Sequence, residues 1–295
     1  MQTEDGAWNL RGFIDIARRV YSLTSDTKVI SKALELMLTS FLINFFEQCD
    51  FAVILASEQN QYPDFTVVKK EEKYALDLKS CYRIGTTGKI SSFTLGAFTG
   101  YFRQRSSAKN IVFPYQEYRQ HYVLGVVYTE PSQPLKSRLK TLDDRLKRFE
   151  SNPPEDVFNE ATALRERLTE ALKSKIYSLD KLAVVPAAIH DIELIFYEKW
   201  RIASDQPGSG NTKNIGPVGD LVTLRNGMGI FTNLRQRGEN IFNNYWMNYL
   251  TNDMARAAEL QQPLYRNLHE YLEYRGMHDL LSLLGKRSRK RNREA

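Results

Sequence analysis

Cysteine is nearly absent. Cys49 and Cys81 are the two in 295 residues, too few for a disulfide framework or a cysteine-built zinc site. Reduced thiols in a cytoplasm are the simplest expectation. No run reaches the roughly 20 consecutive apolar residues of a membrane helix, so no membrane partner is expected. The opening MQTEDGAWNL is acidic and polar, unlike a secretory signal. No glycine loop ends in Gly-Lys-Ser/Thr before an apolar helix, which excludes a Walker site, and the dinucleotide fingerprint is missing too. No internal repeat is visible. What remains is ordinary globular stock, 42% hydrophobic and 26% charged, with length for one large domain or two small ones.

The net charge of +6 is unevenly placed. Six of its bases and one acid lie in KRSRKRNREA, residues 286–295, leaving +1 for the other 285 positions. A basic tail binds polyanions or keeps a chain in solution, and both readings stand.

Patterning predicts an α/β chain. GFIDIARRVYSL, residues 12–23, reads as a hairpin. Ser25 or Asp26 caps a helix whose apolar face is Val29, Ala33, Leu36, Met37, Phe41, Leu42 and Phe45. FAVIL, FTVV and YALDLKS read as strands. SSFTLGAFTGYFRQ reads as helical in its second half, while AKNIVFP and HYVLGVVYT read as buried strands. Residues 131–176 read as an inserted helical hairpin. Its seam is Leu135, Leu139, Leu142, Leu146 and Phe149 on one arm, and Phe158, Ala161, Leu164, Leu168 and Leu172 on the other. Pro153 and Pro154 break the two arms apart. IELIFYEKWRIAS returns to strand, DQPGSGNTKNIGPVGD is a loop, and two helices follow, over 239–250 and 264–284. The order predicts one mixed sheet flanked by helices, a single domain over 1–285.

Three charges stand out in QNQYPDFTVVKKEEKYALDLKS. Asp64 opens one strand. On the next, the period of two puts Asp77 and Lys79 on one face and Leu76 and Leu78 on the other, buried one. Two carboxylates and a lysine suit phosphodiester hydrolysis, where magnesium takes a few carboxylates plus water and phosphate oxygens. A solvated strand of an antiparallel pair yields the same pattern. The loop GSGNTKN allows close backbone approach, and asparagine can pair with the major-groove edge of adenine. It is equally an ordinary surface loop or a phosphate cradle.

Taken together, these segments resemble the EcoRV-type restriction endonucleases of the PD-(D/E)XK superfamily. GFIDIARRVYSL, QNQYPDFTV, ALDLKS, FTLGAFTGYFR, KNIVFPYQEY, LGVVYT, KWRIASD, GSGNTKNIG, GMGIF and NNYWMNY follow in the family's order, with about 131–175 and the final basic stretch left over. The resemblance implies that fold with Asp64 and Asp77 as metal carboxylates, Lys79 at the attacking water and Glu35 as an accessory acid on catalysis and metal. It implies base recognition by Gly208, Gly210, Asn211 and Thr212 in the major groove and by Gln59 and Asn60 at the minor groove. Thr27, Lys28, Lys109, Asn214 and Arg256 would meet the DNA backbone. Mg²⁺ would be the cofactor, with Mn²⁺ as substitute. Partners would be double-stranded DNA, a second copy of the chain through the 12–23 hairpin, and functionally a DNA methyltransferase of the same bacterial cytoplasm. The retained loop implies a target like GATATC, cut bluntly at the centre. Two other readings are a nuclease that recognises DNA structure and a catalytically silent DNA-binding protein.

The sequence also departs from the family. Only eleven residues, Met1 to Arg11, precede the hairpin, where relatives have a longer helix. Glu58 replaces an uncharged residue beside the minor-groove loop. Near the C-terminus Arg256 is kept, but neighbouring phosphate-contact positions hold Thr251 and Asp253. The helical hairpin carries six bases against three acids on its first arm, and reads either as a packing extension or as a clasp on DNA or the second subunit.

Overall fold

The computed structural model describes residues 1–58, 60–149, 153–208 and 213–284. Along the chain, β1 (Gly12–Ile14) and β2 (Arg19–Ser22) precede α1 (Thr27–Gln48). Next come β3 (Ala52–Leu55), β4 (Phe65–Lys69), β5 (Glu72–Ile84), β6 (Lys89–Ile90) and β7 (Tyr118–Thr129). The helices α2 (Gln133–Leu146) and α3 (Glu155–Leu172) lead into β8 (Ile176–Ser178), β9 (His190–Glu198), β10 (Ala203–Pro207) and β11 (Ile215–Pro217). Short helices finish the chain: α4 (Leu221–Asn226), α5 (Gly238–Asn248), α6 (Asn252–Ala257), α7 (Leu268–Tyr274) and α8 (His278–Leu281). The fold is mixed α/β. Its largest sheet has the order β3-β4-β5-β7-β9, with β6 added beside β5.

The chain divides into two compact units, each made of discontinuous segments. One comprises 1–45, 79–91 and 125–194, the other 46–78, 92–124 and 195–295. Boundaries between the two fall within α1, β5, β7 and β9.

In the first unit, β1 and β2 form the expected hairpin, Gly12 opposite Ser22, and β8 adds to it with Val20 opposite Tyr177. Asp26 caps α1, accepting from the Lys28 and Val29 N–H groups at 2.9 and 3.1 Å. The buried face of α1 differs from the expected one. Ile30, Ala33, Leu34, Leu38 and Leu42 are inside, whereas Leu36, Phe41 and Phe45 are exposed. The helix is apolar around most of its girth, so spacing alone does not select the inner stripe. By length and composition α1 is also apolar enough to cross a membrane. Lys32 and Glu35 interrupt its apolar run. Its five inner residues nevertheless pack inside this unit.

The helical hairpin has its own core of Leu142, Val157, Ala161 and Leu164, with Leu135, Leu139 and Leu146 against it. On the second arm Ala161 and Leu164 are inside as predicted, and only the first seam position shifts by one residue. Val157 faces inward, and Phe158 is exposed, as is Phe149 on the first arm.

In the second unit, β3, β4 and β5 are antiparallel neighbours, with Val53 opposite Val67 and Val67 opposite Tyr74. Phe65, Val67, Ala75, Val123 and Leu124 are buried there. The stretch after Ser91 is not the expected helix. Its one helical element is a turn of 3-10 helix at Gly100–Phe102. Gly96 and Gly100 take positive φ, +86° and +58°, and Leu95 and Phe98 donate backbone bonds to Ile215 and Lys213 instead of within a helix. AKNIVFP is likewise not a strand. It makes one parallel bridge, Tyr62 to Ile111, because Asn110 turns at φ +59° and Pro114 follows closely. A 3-10 turn, Lys199–Ile202, splits IELIFYEKWRIAS into β9 and β10. Caps break the C-terminal region into short helices: Thr251 accepts from the Met254 N–H at 3.2 Å, and Asn267 from the Glu270 N–H at 2.9 Å. Tyr245 and Trp246 of α5 are fully buried.

Candidate active site

Asp64 stands one residue before β4. The register pairs Phe65 with Leu76, so one step outward sets Asp64 beside Asp77. The Leu78 N–H donates to Asp64 Oδ2 at 2.6 Å, which fixes that carboxylate against the backbone of the Asp77 strand. The Ala56 N–H holds the Asp64 carbonyl at 3.2 Å. Lys79 follows two residues after Asp77 in β5.

One part of the strand reading needs correction. Asp77 does not lie on a solvated face, being only 4% exposed, while Leu76 is 3% exposed and Leu78 half-buried. Both faces of β5 are covered at this point, so alternation does not separate wet from dry. Two buried phenols interact electrostatically with Asp77. Tyr62 is pushed well above the usual phenol range by burial, then by Tyr115 and the Asp77 carboxylate. Tyr101 is raised by burial, then by Asp77. Both phenols therefore lie within electrostatic reach of that carboxylate.

Tyr62 is the centre of an aromatic cluster. Its ring stacks on Tyr101 at 5.2 Å, and its hydroxyl meets His121 Nδ1 at 2.9 Å. His121 in turn stacks on Tyr115 at 3.9 Å. Burial, then the nearby Lys199 and Arg105 charges, drive His121 well below its usual value, so its imidazole is neutral at pH 7. A cavity of about 250 Å³ adjoins this cluster, lined among others by Arg105, Tyr115, His121, Lys199, Trp200 and Glu239. None of Tyr62, Tyr101, Tyr115, His121 and Lys199 is identifiable as a site residue from sequence. They come from separate segments and share no spacing.

Among the described residues, no group of three or more His, Cys, Asp and Glu side chains is placed to hold a metal ion. The donor set is the carboxylate pair, hard oxygen ligands of the kind magnesium takes when water and phosphate oxygens complete its shell. The residues fit such a cation. Glu35, half-buried on α1, has Lys32 Nζ at 2.6 Å from its carboxylate.

The glycine-asparagine loop joins β10 to β11, with Pro207 opposite Ile215. Gln59, Gly210, Asn211 and Thr212 lie outside the described residues, as does the basic stretch 286–295. The stems are firmly held. The Gly208 N–H donates to the Asn214 carbonyl at 3.0 Å, and Ile215 exchanges backbone bonds with Leu95 and Gly96, both at 2.9 Å. Ser92 Oγ donates to the Gly208 carbonyl at 3.0 Å. A Cβ on Gly216 would lie 2.4 Å from the Gln206 carbonyl oxygen, and one on Gly208 would lie 3.2 Å from Thr94 Cγ2. Close backbone approach is thus one reason for glycine at these two stem positions.

Asn60, Thr27, Lys28 and Lys109 are exposed, and Asn214 is half-buried beside Ala97. Arg256 is exposed but ion-paired with Asp253 at 2.5 Å.

A carboxylate heading one strand, hydrogen-bonded to the strand that carries Asp-x-Lys, fits a nuclease, and the comparisons define the class. A family model described as restriction endonuclease EcoRV matches residues 4–152 and 162–276. The chain belongs to this family of restriction endonucleases. The type II restriction enzyme EcoRV of Escherichia coli is 32% identical over 279 residues, spanning 92% of this chain and 94% of that protein. The family match runs through 131–152 and resumes at 162, so it takes in most of the helical hairpin that the motif comparison left over.

Proposed function

We propose that the chain is a homodimeric, Mg²⁺-dependent endonuclease that cuts double-stranded DNA at a palindrome resembling GATATC. The cut is blunt and central, leaving 3′-hydroxyl and 5′-phosphate ends. The observation that carries this reading is the Leu78–Asp64 hydrogen bond, which anchors one carboxylate beside the other on adjoining strands. Asp64 and Asp77 would hold the cation, with Mn²⁺ as a substitute and Glu35 as an accessory acid. Bound there, the cation would supply an activated water and relieve charge on the phosphorane and leaving oxygen.

Lys79, in register with Asp77 by the strand period, orients the attacking water or accepts its proton. Gly208, Gly210, Asn211 and Thr212 read base edges in the major groove, while Gln59 and Asn60 approach the minor groove. Thr27, Lys28, Lys109, Asn214 and Arg256 contact phosphates, fixing register without carrying sequence information. The central TA step is read through its deformability. A palindrome calls for a two-fold dimer, formed through the β1–β2 hairpin. The host is a bacterium whose own DNA a cognate methyltransferase protects in the same cytoplasm.

Digestion of plasmid DNA with Mg²⁺, followed by run-off sequencing of the ends, tests this. Blunt ends at one recurring palindrome are expected. Absence of cleavage, or ends without a common sequence, would reject the reading.

A further inference from the structure

Lys199 is only 2% exposed, on the 3-10 turn between β9 and β10. A lysine so deeply buried is costly unless its surroundings compensate the charge. Its Nζ lies 4.1 Å from the centroid of the Tyr62 ring and 5.7 Å from that of Tyr115, a cation over aromatic faces. On another side it approaches Gly96. A Cβ built there would be 3.8 Å from Lys199 Nζ and 3.0 Å from the Tyr101 hydroxyl.

These two neighbours belong to different working parts. Tyr62 is two residues before Asp64. Its N–H donates to the Asn110 carbonyl at 3.1 Å, and its own carbonyl accepts from the Val112 N–H at 2.8 Å. Its backbone is thus pinned two residues ahead of Asp64. Gly96 accepts from the Ile215 N–H at 2.9 Å, and Ile215 opens β11, one stem of the base-reading hairpin. An unbroken series of contacts runs from hairpin stem to Gly96, Lys199, Tyr62 and Asp64, all within the second unit.

We propose that Lys199 is a positioning residue of DNA cleavage, whose buried ammonium braces the Tyr62–Asp64 turn against the segment that carries the base-reading hairpin. The role in cleavage rests on the function proposed above; the brace itself does not. Contiguity alone is no proof of coupling, so the test needs a readout that a general packing role would not move.

Lys199→Met keeps the length of the side chain and removes its charge. Hydrogen exchange of the full-length, metal-free protein is compared with wild type. Exchange is expected to speed up at least tenfold in peptides covering both 60–65 and 213–217, with peptides of α2 and α3 unchanged. Single-turnover cleavage of a duplex carrying the site that wild type cuts is expected to fall at least tenfold. Binding of that duplex without divalent cation should stay within threefold. Lys199→Ala should regain at least fivefold in rate with propylammonium, which can enter by the adjoining cavity, and nothing with tetramethylammonium, which is too bulky. Unchanged exchange at either segment would overturn the brace, as would loss of protection across the whole unit. A wild type that cuts nothing would reject the function, while the exchange result still decides the brace. Cutting by wild type and by Lys199→Met at equal rates would overturn the role in cleavage.

Discussion

Two small buried clusters in this chain are built on opposite principles. The α2–α3 hairpin closes on Leu142, Val157, Ala161 and Leu164, apolar throughout and drawn from two consecutive helices. The cluster around Tyr62 joins phenols, an imidazole and an ammonium from well-separated segments, with Asp77 in electrostatic reach. Apolar burial is non-directional and tolerant of exchange. A polar cluster is directional, and each member constrains its neighbours. The first arrangement suits stability, and the second suits fixed geometry beside a carboxylate.

The largest effect that separates them is on rate. Asp64→Ala removes the carboxylate fixed by the Leu78 N–H. Cleavage should fall on the order of 10³-fold or more, equivalent to about 4 kcal/mol of barrier, while specific DNA binding stays measurable. Strong residual cleavage would remove Asp64 from the site. Leu142→Ala makes the opposite cut. Leu142 is fully buried, and such truncations cost about 2–5 kcal/mol. Urea unfolding followed by exchange in the 135–172 peptides should show that loss, with the cleavage rate per folded molecule unchanged. A fall in rate at equal folded fraction would make the hairpin part of the catalytic apparatus.

A smaller effect comes from pH. His121 is neutral in the fold because burial, then Lys199 and Arg105, depress its pKa well below 6.5, whereas the unfolded imidazole titrates near 6.5. The unfolded chain thus binds the extra proton first. The stability due to the neutral ring is complete above pH 6.5 and is lost as pH falls below it, by up to about 1.4 kcal/mol per pH unit. Comparing unfolding at pH 7.5 and 5.5, the wild type should lose about 1 kcal/mol more than His121→Gln. Equal losses would mean that His121 takes up its proton in the fold over the same pH range as in the unfolded chain.

The same contrast explains what the amino-acid pattern revealed and what it hid. Leucines at four-three spacing announce α2 and α3, yet Val157 rather than Phe158 faces inward, since adjacent apolar residues on α3 leave the stripe ambiguous by one position. Asp64, Asp77 and Lys79 are legible because two adjacent strands carry them within sixteen residues. The burial of Asp77 is not legible, since alternation places Leu76 on the dry face and cannot foresee that the other is covered too. Lys199 reads as one more charge in a strand-like run. Its meaning depends on Gly96 and Tyr62, each more than a hundred residues away in sequence.

The smallest predicted effect lies outside both clusters and calibrates them. Arg256 and Asp253 form a pair at 2.5 Å with side chains 73% and 81% exposed, and a pair so wet contributes about 0–1 kcal/mol. Asp253→Ala should therefore leave the unfolding midpoint within error. Its consequence belongs to DNA binding. The substitution deletes a negative charge and releases a guanidinium, so one more phosphate can be neutralised. The plot of log affinity against log salt should steepen by about 0.9, and affinity at low salt should rise a few-fold. The cleavage rate of bound DNA should not move, because neither residue touches the carboxylate pair. An unchanged salt slope would mean that Arg256 does not meet the DNA backbone even when its partner is gone.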